Sequence, residues 1–186
     1  MIDRILDAFL RQQHKEAMAL SEESDLVRLL PVGEPPNRYV VQLQCTGLVQ
    51  QETLEIVEAR GFEVGIQFPA DYLRTANPFQ VITWLGPRNV FHPNIAANAP
   101  VICVGRVAPG TGLVDLIYQV FEIVTWRKVT MREDDALNCR ACQWARQHPD
   151  RFPVDSRPLK RRTVAFRIDE LAGKGNTRWP YAIGPR

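Results

Sequence analysis

The stretch FHPNIAANAPVICVG, residues 91–105, divides the chain into two parts with different periodicities. Rich in proline and alanine, it is too irregular for a helix or a strand. Upstream of it, past an opening helix, apolar residues recur at every second position. Downstream they recur at every third or fourth, the spacing of a buried helix face. A chain built in this order is restricted to an α+β domain: a helix, a sheet, a long loop, then helices.

The opening helix shows Ile2, Ile5, Leu6 and Phe9 at i, i+3, i+4 and i+7 and is expected to end before PVGEPP, where prolines and glycine forbid continuation. RYVVQLQC alternates through Tyr39, Val41, Leu43 and Cys45 as a half-buried strand does. TLEIVEARGFEVGIQFP reads as two strands joined near Arg60-Gly61, and PFQVITWL as a fourth, which together imply an antiparallel four-stranded meander. Beyond the loop, Leu113, Leu116, Ile117, Val120 and Val124 mark one helix. Leu137, Ala141, Trp144 and Ala145 mark a second, with Asp134 or Asp135 as its N-cap. Trp126, Trp144 and Phe152 are read as core packing. The domain is expected over residues 1–148, and residues 149–186 as a C-terminal extension or partner-docking tail in which TVAFRI could add a strand.

Composition narrows the class. The chain has 186 residues, 45% hydrophobic and 24% charged, enough for a sizeable core. A net charge of +2 does not make it a general nucleic-acid binder, so no nucleic-acid partner is expected. No apolar run reaches the length of a membrane span, and the N-terminus carries acids without a cleavage pattern, which points to a cytoplasmic protein with no membrane partner. There the four cysteines should be free thiols.

Chemistry concentrates on the loop. Cys103 reads either as a small buried residue or as a nucleophile leaving a flexible segment before Gly105. His14 and His148 lie on helices, and His92 precedes Pro93, which suits a turn-fixing role better than that of a base. A thiol without a dedicated base suits an acyl carrier more than an amide hydrolase. Asn94, nine residues before Cys103, could donate to an oxyanion, worth roughly 3 kcal/mol when well placed. Equally, it could brace the loop through its own backbone.

IQFPADY, PFQV, FHPNI and ICVG resemble, in order and spacing, the ubiquitin-conjugating enzyme family, and EDDALN resembles the acidic segment opening a later helix of that family. The likeness spans residues 1–148. It implies a thioester-forming transferase in which Cys103 is the nucleophile and Asn94 the oxyanion donor or loop brace. His92 and Pro93 would be structural, and Asp135 would gate or orient the incoming amine. It implies no metal or small cofactor at this step, with any ATP used upstream by an activating enzyme. Three departures stand out: the Asn94-to-Cys103 interval is one residue longer than usual, RVAPGTGLVDL replaces a common tryptophan, and Leu73 follows Tyr72 where proline is typical. They make the chain more similar to bacterial members in antiphage defence. The short CBASS type acting on a cyclic-oligonucleotide synthase comes first, and operons with a ubiquitin-like protein second, with a lysine of a protein as acceptor. A non-catalytic module of the same fold holding a ubiquitin-like partner is the alternative, and a cysteine hydrolase the third reading.

Two motifs stand outside this scheme. NCRAC carries a Cys-x-x-Cys pair, a zinc or redox signature, but no second pair or clear third ligand accompanies it. In a helix, Cys139 and Cys142 would simply share a face. RPLKRR is read as a solvated tail, with docking to an acidic partner surface or to nucleic acid as the sharper alternative.

Overall fold

In the computed structural model, which describes residues 3–160, the Asp3 carboxylate caps the first helix by accepting from the Ile5 N–H at 2.9 Å. That helix, α1 (Arg4–Glu23), buries Leu6, Leu10, Gln13, Ala17 and Leu20. The expected stripe is therefore rotated: Leu6 and Phe9 turn inward, but Ile5 is 71% exposed. Only the row that continues from Leu6 to Leu20, about four turns, sets the buried face, and the short run at the helix start does not continue. Ile2 lies outside the described residues.

The helix also ends earlier than the prolines suggest. Ser24 is extended, its hydroxyl accepts from the Leu26 N–H at 3.1 Å, and it donates to the Leu159 carbonyl. The chain then enters a strand that the prolines concealed, β1 (Val27–Gly33). Pro31 is tolerated there because β1 is an edge strand.

β2 (Pro36–Gln50) and β3 (Ile56–Gln67) form a long antiparallel ribbon. The two strands expected around Arg60-Gly61 are one. Leu43 pairs with Phe62 and Thr46 with Arg60, so Gln44 and Cys45 oppose Gly61 alone. Gly61 takes φ +85°, which looks like a turn in the sequence but here serves a bulge within a continuous strand. Likewise, PFQVITWL is not wholly a strand. Asn77 accepts from the Phe79 N–H at 3.1 Å and Pro78 opens a single helical turn, α2 (Pro78–Val81), before β4 (Ile82–Gly86). The sheet order is β1-β2-β3-β4, the expected antiparallel meander.

Alternation along the strands places Tyr39, Val41, Leu43, Phe62, Val64, Ile66, Ile82 and Trp84 on the buried face. Helix α3 (Leu113–Val124) buries all five residues of its expected stripe and packs on α1 and β2. It has no side-chain cap of its own. Gln13, buried in α1, accepts from the Leu113 N–H at 2.7 Å instead. Helix α4 (Cys139–Gln147) is capped by Asn138, which accepts from the Ala141 N–H, and not by Asp134 or Asp135. Those acids lie in a preceding single turn, Glu133–Asp135, too far upstream to reach the first amides of α4.

A second cluster sits past the bulge, where Leu48, Phe91, Trp126, Ala141 and Ala145 are buried and Trp144 and Phe152 pack against them. Trp126 and Phe152 stack with ring centres 4.6 Å apart. The chain beyond Pro149 begins as part of this body. Asp155 accepts from the Thr46 N–H at 2.8 Å, and Leu159 is buried against the main core. Residues 161–186, including TVAFRI and the end of RPLKRR, lie outside the described residues. Among the described residues, no helix is long and apolar enough to cross a membrane.

Gly47 of β2 lies close against the end of α3. A Cβ there would stand 2.7 Å from Phe62 Cζ and 2.9 Å from the Val124 carbonyl oxygen. Backbone on one side and a packed ring on the other leave little room to relax. Gly47→Ala should therefore lower the urea midpoint by the equivalent of about 1–3 kcal/mol. An unchanged midpoint would show that the helix can shift away without cost.

Candidate active site around Cys103

Asn94 and Cys103 face each other at the base of a narrow loop. The Cys103 N–H donates to the Asn94 carbonyl at 2.8 Å, and the Asn94 side-chain Nδ2 donates to the Cys103 carbonyl at 3.1 Å. One step further, Ile95 and Ile102 form an antiparallel bridge, and the Ala96 N–H donates to the Val101 carbonyl. Ile102 and Val104 are buried on either side, so packing holds the backbone while Cys103 itself stays only half-buried. The exposed tip is tied to β4 by the Trp84 N–H, which donates to the Pro100 carbonyl at 3.0 Å. A cleft lined by Trp84, Leu85, Arg88 and residues 96–100 lies along this tip, and Cys103 is not part of its wall.

The segment between α3 and α4 folds over the loop from the other side. The Thr130 N–H donates to Asn94 Oδ1 at 2.9 Å, and Lys128 Nζ donates to the Val104 carbonyl at 2.6 Å. The Leu137 and Asn138 N–H groups both donate to the Pro93 carbonyl, at 2.8 and 3.2 Å. Asn94 is only 4% exposed, and its amide joins three separate stretches of backbone. Its Nδ2 still carries a second hydrogen beyond the one given to Cys103.

His92 is not placed to act as a base. Its Nδ1 accepts from the Asn94 N–H at 3.0 Å, and its ring lies edge-on to Trp126 at 4.5 Å. Nε2 has no hydrogen-bond partner among the described residues. Burial disfavours the imidazolium and pushes the group down to about 3, so the ring is neutral. His14 stacks on Tyr39, while His148 stacks on Trp144 with its Nδ1 bonded to the Trp144 carbonyl. Among the described residues, no side chain hydrogen-bonds to the Cys103 thiol.

Asp135 is exposed, 3.6 Å from Arg132 across an open ion pair. Its turn is anchored by Arg146, which pairs with Glu133 at 3.0 Å and donates to the Met131 carbonyl. The structure thus brings His92, Pro93, Asn94 and Cys103 into one bonded unit. Asp135 stands two residues from Leu137, which is bonded to that unit. Lys128 and Thr130 were not legible in the sequence, because one uses only a backbone N–H and the other an amine on a flexible stem. Trp126, expected in the core, also holds the left-handed backbone (φ +62°) that turns the chain towards the loop.

No family model and no curated protein matches this chain.

The neutral His92 has a measurable consequence. Its folded pKa is depressed, so the unfolded chain takes up the proton first as pH falls. Stability from this group is complete above about pH 6.5 and is lost on the way down towards 3, at about 1.4 kcal/mol per pH unit. His92→Asn keeps an acceptor for the Asn94 N–H and removes the titration. Denaturant stability measured from pH 7 to 5.5, above the range in which most carboxylates titrate (roughly pH 4), should fall less steeply in the variant. Parallel curves would mean that His92 is protonated equally in both states.

Proposed function

We propose that the protein is an acyl-carrier transferase of the ubiquitin-conjugating kind, with Cys103 as its thioester-forming nucleophile. The observation that supports this most is the half-exposed thiol on a backbone fixed by Asn94, with every histidine engaged elsewhere. Such a thiol can accept an acyl group that is already activated and release it to an amine. Among the described residues it has no partner to activate it, or a water, for cleaving a stable amide. The helix, four-stranded meander, loop and later helices agree with the sequence resemblance to that family.

In the proposed reaction the Cys103 thiolate attacks the activated C-terminal glycine carbonyl of its acyl donor, and the activating group leaves. The donor is a cyclic-oligonucleotide synthase or a ubiquitin-like protein, loaded by an activating enzyme, in a bacterial antiphage system. A lysine amine of the acceptor then attacks the thioester carbonyl. The oxygen becomes an oxyanion, the amine nitrogen gives up a proton to solvent, and collapse expels the Cys103 thiolate and leaves an isopeptide. The second Nδ2 hydrogen of Asn94 is the donor available to that oxyanion. Asp135, on a turn tethered to Pro93 through Leu137, orients the incoming amine.

Incubation with a cyclic-oligonucleotide synthase or a ubiquitin-like protein, an activating enzyme and ATP should give a thiol-sensitive adduct on non-reducing gels. Cys103→Ala should abolish it, and Cys103→Ser should replace it with a thiol-resistant ester. A stable complex that survives Cys103→Ala with no adduct at any stage would identify a binding module instead. Cleavage of a preformed conjugate would identify a hydrolase.

Asn94 separates the chemical step from the loop. Asn94→Asp keeps an acceptor for the Thr130 N–H but removes the donor. Adduct formation should persist, while discharge to free lysine slows by about 100-fold. Equal slowing of both steps, together with a lowered melting temperature, would leave Asn94 as a brace alone.

A further inference from the structure

The Cys-x-x-Cys pair opens α4 in an arrangement that the thioester chemistry does not use. Cys139 is the first residue of the helix and is exposed, while Cys142, one turn on, is fully buried. Residues three apart on a helix lie on one face with Cβ atoms about 5–6 Å apart, so a disulfide between them requires the first turn of α4 to tighten by about 1–2 Å. Arg146, a further turn along, sets its Nη2 3.7 Å from the Cys142 sulfur. The same guanidinium holds Glu133 at 3.0 Å, and the Met131 carbonyl accepts from its Nε at 2.9 Å. A thiol that solvent reaches, followed by a shielded thiol beside a fixed cation, is the layout of an attacking and a resolving sulfur. A metal site is not built here, since among the described residues no group of three or more His, Cys, Asp or Glu converges.

We propose that Cys139 and Cys142 are a reversible dithiol–disulfide site whose oxidant is a low-molecular-weight disulfide. The Cys139 thiolate attacks one sulfur of the reagent, forming a mixed disulfide and releasing one small thiolate. The Cys142 thiolate then attacks the Cys139 sulfur, closes the protein disulfide and expels the second small thiolate. Two electrons pass to the reagent, and the two protons of the protein thiols end on the two small thiols released. Closure removes the Cys142 sulfur from Arg146, the residue that anchors the Glu133–Asp135 turn, and it acts at the head of a helix whose preceding residues bond to Pro93. The site stands independently of the acyl-transfer reading.

The test uses the full chain carrying Cys103→Ala, equilibrated in oxidised and reduced glutathione, quenched with an alkylating agent and cut with trypsin. Cleavage after Arg140 separates the two cysteines. A closed disulfide therefore appears as EDDALNCR linked to ACQWAR, which fall apart on reduction. The expected result is loss of alkylation at both cysteines and recovery of the linked pair, with Cys142→Ala instead accumulating glutathione on Cys139. Two results would overturn the proposal: both thiols remaining fully alkylated in oxidised glutathione, or a lasting glutathione adduct on Cys139 of the chain that retains Cys142.

Discussion

The Asn94 side chain is the interaction on which the loop depends. Between β4 and α3 the chain runs for more than twenty residues with only isolated bridges, so its backbone lacks a ladder to satisfy its polar groups. A buried amide left unpaired costs about 1–3 kcal/mol. Asn94 removes that cost at two places at once, donating to the Cys103 carbonyl and accepting from the Thr130 N–H. Its backbone N–H goes to His92 Nδ1 and its carbonyl accepts from the Cys103 N–H. All four bonds are internal, so removing the side chain orphans groups on two other segments. This explains why a proline- and alanine-rich stretch keeps one shape without regular structure.

That unit is held from behind by aromatic packing and from the side by the residues after α4. His92 meets Trp126 edge-on and Trp126 stacks on Phe152, so the loop and the 149–160 segment share one cluster. Asp155 fixes the segment to the ribbon. Burial alone would raise its carboxyl, but Arg157 and the Thr46 N–H overcome this and draw it down to about 2. The Thr46 amide is the first paired residue after the β2 bulge, where the ladder is interrupted and an acceptor is needed. Arg127 closes the arrangement by donating to the Asp155 and Arg157 carbonyls. The strap thus compensates the irregularity that Gly61 introduces, and it ends against Ser24 and Glu23 beside the start of β1.

Periodicity revealed most of the architecture, and local chemistry hid the rest. The α3 stripe was plain because all its apolar positions face one core. β1 was hidden by Pro31, Pro35 and Pro36, which read as breakers but fall on an edge strand and in its turn. Gly61 read as a turn because a glycine with positive φ serves a bulge and a reversal equally well; only the register of the partner strand distinguishes them. The acids before α4 looked like caps, yet Asn138 lies one residue before the helix and takes that role. At the candidate site, the His92-Pro93-Asn94 triplet and Cys103 stood out by sequence. Lys128 and Thr130 could not, since their bonds depend on where a loop from a distant part of the chain comes to rest.

The same constraints bear on which chemistry the thiol can do. An amide hydrolase needs a base that takes a proton from the nucleophile and gives one to the leaving amine. His92 is the histidine nearest Cys103 in sequence, and its burial keeps it neutral down to about pH 3 with one nitrogen already committed to Asn94. A thioester places less demand on the site. Its leaving group is the Cys103 thiolate, which departs without being protonated, and its attacking amine carries its own nucleophilicity. What the transfer step requires is a fixed carbonyl and a hydrogen-bond donor that needs no reorganisation. A buried amide pinned by two side-chain and two backbone hydrogen bonds meets that requirement, because the network that rigidifies Asn94 leaves one Nδ2 hydrogen uncommitted among the described residues. In the proposed reaction, bracing the loop and stabilising the oxyanion are therefore two uses of one side chain, and the first is the condition for the second.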